Sequence, residues 1–198
     1  MRKITIKLTS IALCFIFIFQ SFTIQVEAAT RVYWYKKMTG GGRIFYWVDS
    51  GVEYVSQIGA AEVEIEIPAA GFSNPMKMTK TTTKSSSKID FYQYDDPSSN
   101  TIGSTFCYKA NETSPMYISD LDVYDWYWCE IQLNKSRMEE RTIVQQVVTI
   151  VHEMLHAYGG KDTYEDDQTW SIMYGYGDGS ATGVTSDAND FLNDKYSE

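Results

Sequence analysis

The sequence predicts an α+β fold in which a sheet of about five strands packs on two helices and a short third helix ends the chain. Two observations indicate this class. Segments rich in aromatic and β-branched residues fill the first two thirds of the chain, and the clearest apolar segment with helical spacing follows them. The 198 residues, of which 43% are hydrophobic and 22% charged, suit one globular domain.

The N-terminal segment has the three-part pattern of a secretory signal peptide. A basic start is followed by an apolar run over residues 8–24, and the small residues Val26 and Ala28 precede a cleavage point. The alternative is a membrane anchor, because the run nearly reaches spanning length, but polar residues interrupt it. We therefore predict a signal peptide over 1–28 and a single secreted, extracellular domain over 29–198, with no stable membrane insertion after cleavage.

The first half of the predicted domain combines strands with one helix. Residues 31–38 and 43–49 are rich in aromatic residues and flank three glycines, which favours a strand pair or an extended arm. Apolar residues at helical spacing predict a helix from residue 52 to the low sixties, and alternation over 63–67 predicts a short strand after it. The Thr, Ser and Lys bias of 77–88 is typical of a solvated strand edge and loop.

Three later segments, 89–94, 101–109 and 124–133, are predicted strands, and the last two carry Cys107 and Cys129. Both cysteines remain after removal of the signal peptide. One remaining pair in an exported domain suggests a disulfide. The alternative is two buried free thiols, because a sequence does not show that two Cα atoms come close enough to be bridged.

The clearest helix follows these strands. Ser136 with Glu139 three residues on has the pattern of a capping box, and Gly159 and Gly160 are natural helix terminators. Apolar residues cover most of the surface of the segment between them, which predicts a helix buried in the middle of the domain. A short helix with Ser186 as its candidate N-cap is predicted to run through about residue 196.

The buried helix contains His152, Glu153 and His156, and the chain has no other histidine. Residues four apart share a helical face, so both imidazoles can reach one metal ion, and neutral imidazole is a good Zn²⁺ ligand. Glu153 lies beside that face, where it can take a proton from metal-bound water; this H-E-x-x-H spacing is typical of zinc metalloproteases. The alternative is a coincidental pair of core histidines, but burying these polar groups in an apolar helix without partners is costly.

A catalytic zinc needs a third protein ligand and an open fourth position. Asp162 is the strongest candidate, because Gly159 can end the helix in a left-handed turn and bring a carboxylate back toward the metal. The alternative is an ordinary surface acid, since three more acids follow at 165–167. Cys107 and Cys129 are also possible ligands, but they are distant in sequence and are predicted to pair.

These residues resemble the metzincin metalloproteases, whose pattern is H-E-x-x-H-x-x-G-x-x-H followed by a Met-turn. His152, Glu153, His156 and Gly159 stand in register with that pattern, and Asp162 replaces the last histidine. An aspartate at this position resembles the snapalysin group of small secreted bacterial metzincins. The order of strands and helices is similar to the matrixin and snapalysin type, which implies a twisted mixed sheet, a zinc helix with the Met-turn below it, and a short C-terminal helix.

The Met-turn itself is matched by Ser-Ile-Met-Tyr at 171–174, which implies that Met173 lies under the zinc site. The alternative is a plain core methionine, because Met often fills gaps in cores. Some metzincins have a metal-binding tyrosine two residues after this methionine, but here the position is Gly175, so no tyrosine ligand is predicted. Tyr174 and Tyr176 flank it and are candidates for a substrate pocket, or else ordinary aromatics.

The resemblance implies a secreted zinc metalloendopeptidase that hydrolyses peptide bonds, with one zinc as cofactor and Glu153 as the general base. Its substrate would be a protein or peptide running antiparallel to an exposed strand edge, for which 101–109 is the candidate. The alternative is a secreted, non-catalytic zinc-containing binding or adhesion domain, suggested by the 15% of aromatic residues, although a structural site would not need Glu153.

The acidic character of the chain bears on two other possible ligands, nucleic acid and Ca²⁺. A net charge of −9 makes nucleic-acid binding through phosphate contacts a poor prediction. The acidic clusters at 95–96 and 165–167 suit Ca²⁺ in charge, but no EF-hand loop accompanies them, so nothing supports a calcium site. We expect a monomer.

Overall fold

A computed structural model describes residues 32–197 and shows a mixed α+β fold, as the sequence predicts. Five strands form one sheet, and four α-helices accompany it in this part of the chain. The predicted signal peptide, 1–28, lies outside the described residues. Among the residues described, no helix combines the length and the apolar character needed to cross a membrane.

The sheet is mostly parallel. Its strand order is β2-β1-β3-β5-β4, in which β4 alone runs antiparallel to its neighbour. Because β4 pairs only with β5, it forms one open edge of the sheet, and β2 forms the other. The strands are β1 (Arg43–Val48), β2 (Lys77–Lys80), β3 (Ile89–Tyr94), β4 (Gly103–Tyr108) and β5 (Trp128–Asn134).

The two longest helices pack against each other and against the sheet. They are part of the series α1 (Val55–Glu66), α2 (Lys135–Glu139), α3 (Ile143–Tyr158) and α4 (Ser186–Tyr196). Helix α3 also packs against β4 and β5, while α1 contacts β2. The helix that carries the H-E-x-x-H motif therefore packs against the side of the sheet where β4 forms the open edge.

The predicted strand pair on either side of the three glycines is wrong. Residues 32–38 form the extended arm instead, held by isolated bridges from Tyr33 to Gly160 and from Met38 to Trp126. Strand β1 has parallel neighbours on both sides, β2 and β3, so its backbone groups are already paired within the sheet. The arm therefore runs along the C-terminal end of α3.

The predicted strand over 63–67 is also wrong, because α1 continues through Glu66. Ile58, Ala61 and Ile65 are buried at helical spacing, whereas Val63 is 56% and Ile67 70% exposed. The alternation of apolar residues in the sequence is thus not an alternation of burial. The buried residues are three and four positions apart, which places them on one face of a helix, and this spacing selects a helix over a strand.

Helix α3 begins later than the predicted cap at Ser136, which instead lies in the short α2. Thr142 is the N-cap of α3: its side chain accepts a hydrogen bond from Gln145 N, and its backbone N–H donates to the Gln145 side chain. The helix ends as predicted at Gly159, whose φ of +117° is left-handed. The motif thus occupies the last turns of α3, next to a sharp reversal of the chain.

Candidate metal centre

The structure brings His152, His156 and Asp162 together. The two imidazole Nε2 atoms lie 3.0 Å apart, and Asp162 Oδ1 lies 3.2 Å from each of them. The histidines come from successive turns of α3, and the aspartate from the chain that returns after Gly159. Within residues 32–197, no other group of three or more His, Cys, Asp or Glu side chains gathers its ligand atoms in this way.

Backbone carbonyls fix the orientation of both rings. The Nδ1–H of His152 donates to the Ile172 carbonyl at 2.6 Å, and the Nδ1–H of His156 donates to the Gly160 carbonyl at 3.0 Å. Because carbonyl oxygens only accept hydrogen bonds, they assign the ring protons to Nδ1 and leave lone pairs on the two Nε2 atoms. Outer partners of this kind are typical of metal-ligating histidines.

The three ligand atoms fit a divalent metal ion such as zinc. With both ring protons on Nδ1, all three atoms are acceptors, and Asp162 Oδ1 is buried without a hydrogen-bond donor. Ligand atoms at about 2.0–2.1 Å from a tetrahedral zinc stand roughly 3.3 Å apart, close to the separations found here. Two imidazoles and one carboxylate also leave a fourth position open, as catalytic zinc sites require.

The electrostatics of the triad likewise favour a bound cation. Burial by itself lowers the pKa of His156, but a protonated ring would donate from Nε2 to the Asp162 carboxylate, and this bond and the carboxylate charge raise that pKa to about 9. Burial by itself raises the pKa of Asp162, but the two neighbouring imidazoles hold it well below its ordinary value. A proton can therefore occupy the site near neutral pH, and metal binding at such a site releases it.

Glu153 lies beside the triad in the gap between α3 and β4. Only 5% of the residue is exposed, and its Oε2 accepts a 2.8 Å hydrogen bond from the Thr105 hydroxyl. A Cβ on Gly103 would lie 2.7 Å from Glu153 Oε1, so only glycine leaves room for this carboxylate under the strand. Glu153 is thus held beside the triad and against the open-edge strand.

Met173 is fully buried below the end of α3. Its sulfur lies 3.1 Å from the place that a Cβ on Gly160 would occupy, and its carbonyl accepts from Thr163 N. The preceding residue, Ile172, supplies the carbonyl that orients His152. The segment predicted to be a Met-turn therefore supports both His152 and the returning chain that carries Asp162.

A cleft of about 1060 Å³ opens in front of the triad and Glu153. Both predicted pocket residues, Tyr174 and Tyr176, line it, and their ring centroids lie 5.5 Å apart. Tyr176 also contacts Tyr164, at 5.1 Å between centroids. Aromatic side chains thus form one wall of the cleft.

Sequence reasoning missed Tyr164 and Thr105. The Tyr164 hydroxyl donates to Asp162 Oδ2 at 3.1 Å, and Thr105 holds Glu153 from β4. Tyr164 has a polar side chain and follows the candidate ligand Asp162 by two positions, so the sequence could have indicated it as a partner of Asp162. Thr105 had no such signal, because its contact depends on how β4 packs against α3.

Substitution of Tyr164 with phenylalanine is expected to weaken zinc binding by about 10–100-fold, the usual cost of losing an outer partner of a ligand. The substitution removes the hydrogen bond to Asp162 Oδ2 and keeps the ring contact with Tyr176. Competition with a chromogenic chelator measures the affinity. Tyr117→Phe, at an exposed tyrosine of the cleft rim, is the control; equal affinities for both variants would contradict this role of Tyr164.

Cys107 and Cys129 stand opposite each other on β4 and β5, both buried as free thiols with their sulfurs 3.1 Å apart. Cys129 N donates to Lys88 O and Cys107 O accepts from Met116 N, so neither backbone group bonds across this pair. Opposed residues of this kind have the shortest Cα separation in an antiparallel ladder, about 4.5 Å. A disulfide fits that separation, so the predicted bond stays a prediction that the backbone can accommodate.

Chain that is exported by its predicted signal peptide is expected to show no free thiol when it is denatured without reductant, and two after reduction, because an oxidising compartment would oxidise the adjacent pair. Titration with a thiol-specific chromophore measures both numbers. Two thiols before reduction would show that the pair stays reduced. A Cys107→Ala variant, which leaves a single unpaired thiol, calibrates the count.

Comparison with known proteins adds no assignment to this site. No protein-family model matches the chain, and no curated protein matches it. The resemblance to metzincins therefore stays a prediction from the sequence motif.

Proposed function

We propose that this protein is a secreted, zinc-dependent metalloendopeptidase that acts as a monomer on proteins or peptides. His152, His156 and Asp162 would hold one zinc ion, and Glu153 would be the general base. The observation that carries the proposal is the arrangement of three acceptor atoms within 3.2 Å of one another, beside a carboxylate in an open cleft.

Zinc, when bound, would lower the pKa of water and polarise the scissile carbonyl. Glu153 would accept the proton of the attacking water and return it to the leaving amine. Its hydrogen bond from Thr105 occupies Oε2 and keeps the carboxylate in place, while Oε1 remains for the proton. The carbonyls of Ile172 and Gly160 would keep both imidazoles oriented during turnover.

Strand β4 supplies the surface on which a substrate would lie. Asn134 N donates to Ile102 O, and in an antiparallel ladder such bonds recur at every second residue. Gly103 and Thr105 therefore turn their backbone groups to the open edge, directly over Glu153. An extended peptide that adds to this edge would bring a backbone carbonyl to the site by β-augmentation.

A metal titration tests the proposal. The secreted chain, stripped of metal with a chelator, is expected to lose casein hydrolysis and to regain it fully at one equivalent of Zn²⁺, but not with Ca²⁺. Hydrolysis that is insensitive to stripping would contradict the proposal. One bound zinc without hydrolysis of casein or of a peptide library would favour the alternative, a non-catalytic binding domain.

A further inference from the structure

One end of the cleft holds a guanidinium group without an acidic partner. Arg141 lies between α2 and α3 and lines the cleft, and its Nη2 donates only to the Gly177 carbonyl, at 3.1 Å. Its Nε is buried and makes no hydrogen bond. Among residues 32–197, no carboxylate lies within ion-pair distance of Arg141, whereas the nearby Arg137 pairs with Glu140 at 2.8 Å.

The surroundings of this group are mixed. It borders the cleft beside the apolar Ile102, and it also borders a second cavity of about 300 Å³ that Asn100, Glu140 and Gln145 line. A Cβ on Gly177 would lie 3.2 Å from Arg141 Nη1 and 3.0 Å from Ile102 Cδ1, so the guanidinium is enclosed between this loop and the start of β4. Val148, from α3, lines the same cleft. Burial lowers the pKa of the Arg141 guanidinium, as expected for a cation that has lost water without gaining an anion. Such a group favours a ligand that brings a negative charge.

The direction of β4 decides which part of a substrate would meet Arg141. A peptide antiparallel to β4 has its C-terminal side at the Gly103 end of the strand, where Ile102 and Arg141 lie. Glu153 lies under Gly103 and Thr105, and the guanidinium lies near the side chain of Ile102, the residue before Gly103. The first residue after the scissile bond of such a peptide would therefore come nearest to the guanidinium.

We propose that Arg141 is a specificity-determining residue that selects an acidic side chain, Glu or Asp, immediately C-terminal to the scissile bond. The inference rests on the proposed function and names the substrate class of the same site. The carboxylate would take the place of the missing anion and form a charge-assisted, two-pronged hydrogen bond with the guanidinium.

The test uses internally quenched peptides that differ only in this residue, which is Glu, Gln or Leu. The parent chain is expected to cleave the Glu peptide with a kcat/KM about tenfold or more above that of the Gln peptide, given the strength of hydrogen bonds to charged groups. Arg141→Gln should bring this ratio close to one, and Arg141→Glu should create a preference for Lys. Arg137→Gln, which removes a guanidinium already neutralised by Glu140, should keep the parent ratio.

Three results would overturn the inference. The first is a Glu-to-Gln ratio near one in the parent, and the second is a ratio that Arg141→Gln leaves unchanged. The third is a preference for peptides with a free C-terminal carboxylate over amidated ones, with no effect of the side chain, because Arg141 would then read the chain end. In all three cases cleavage itself continues, so the proposed peptidase function stands.

A binding measurement separates the inference from the proposed function. The Glu153→Ala chain should bind the Glu peptide more tightly than the Gln peptide, by fluorescence anisotropy, and should lose this difference when Arg141→Gln is added. Such selective binding in a chain whose parent cleaves nothing would support the role of Arg141 and contradict the peptidase proposal. Equal binding of the two peptides would overturn the inference.

Discussion

Replacement of Glu153 with glutamine is expected to lower kcat for peptide hydrolysis by about 10²–10⁴-fold, the usual contribution of a general base. An amide has the shape of the carboxylate and can still accept the Thr105 hydrogen bond, but it cannot take up a proton near neutral pH. The zinc content should stay at one ion per chain, because Glu153 is not among the three gathered ligand atoms. Steady-state kinetics and metal analysis of the same preparation measure both quantities.

Glu165→Gln is the matched control, since this acid is exposed and lies outside the triad. It is expected to keep the parent kcat. A Glu153→Gln chain with a full zinc content and a kcat within tenfold of the parent value would contradict the assignment of the base.

Replacement of Asp162 with alanine is expected to lower zinc affinity by more than about 100-fold, because losing a direct ligand costs more than losing an outer partner. The change removes the only anion of the triad and leaves two neutral imidazoles facing each other at 3.0 Å. Hydrolysis at limiting zinc should be lost together with the metal. Competition with a chromogenic chelator gives the affinity, and added zinc shows whether any activity returns.

Asp162→His keeps a ligand at this position and is expected to retain more zinc than Asp162→Ala. Asp167→Ala, at an exposed acid of the same loop, is expected to bind zinc as the parent does. Equal affinities of Asp162→Ala and the parent would show that the third ligand lies elsewhere.

The candidate triad could be predicted from the sequence because its geometry is local. His152 and His156 share a helical face by their spacing, and Gly159 returns the chain so that Asp162 reaches both rings. The four-residue spacing of the two histidines and the left-handed turn at Gly159 are enough to bring all three side chains together. The general α+β class also followed from local patterns, because aromatic and β-branched segments precede a strongly apolar helix.

Features that depend on long-range packing could not be predicted in this way. Thr105 and Gly103 meet Glu153 only because β4 is an edge strand packed against α3, and no local pattern indicates that register. Arg141 belongs to no sequence motif. It stands out only because no carboxylate among the described residues pairs with its guanidinium. The predicted strand over 63–67 failed for a related reason: alternating apolar residues fit a strand, but burial of Ile65 against neighbouring elements selected the helix.

The most direct test of the central claim measures metal content and casein hydrolysis side by side in the secreted chain and in its Glu153→Ala variant. We expect one zinc per chain in both proteins, with hydrolysis only in the parent. A parent chain that purifies without zinc and binds none when it is supplied would contradict the metal site and the peptidase assignment together.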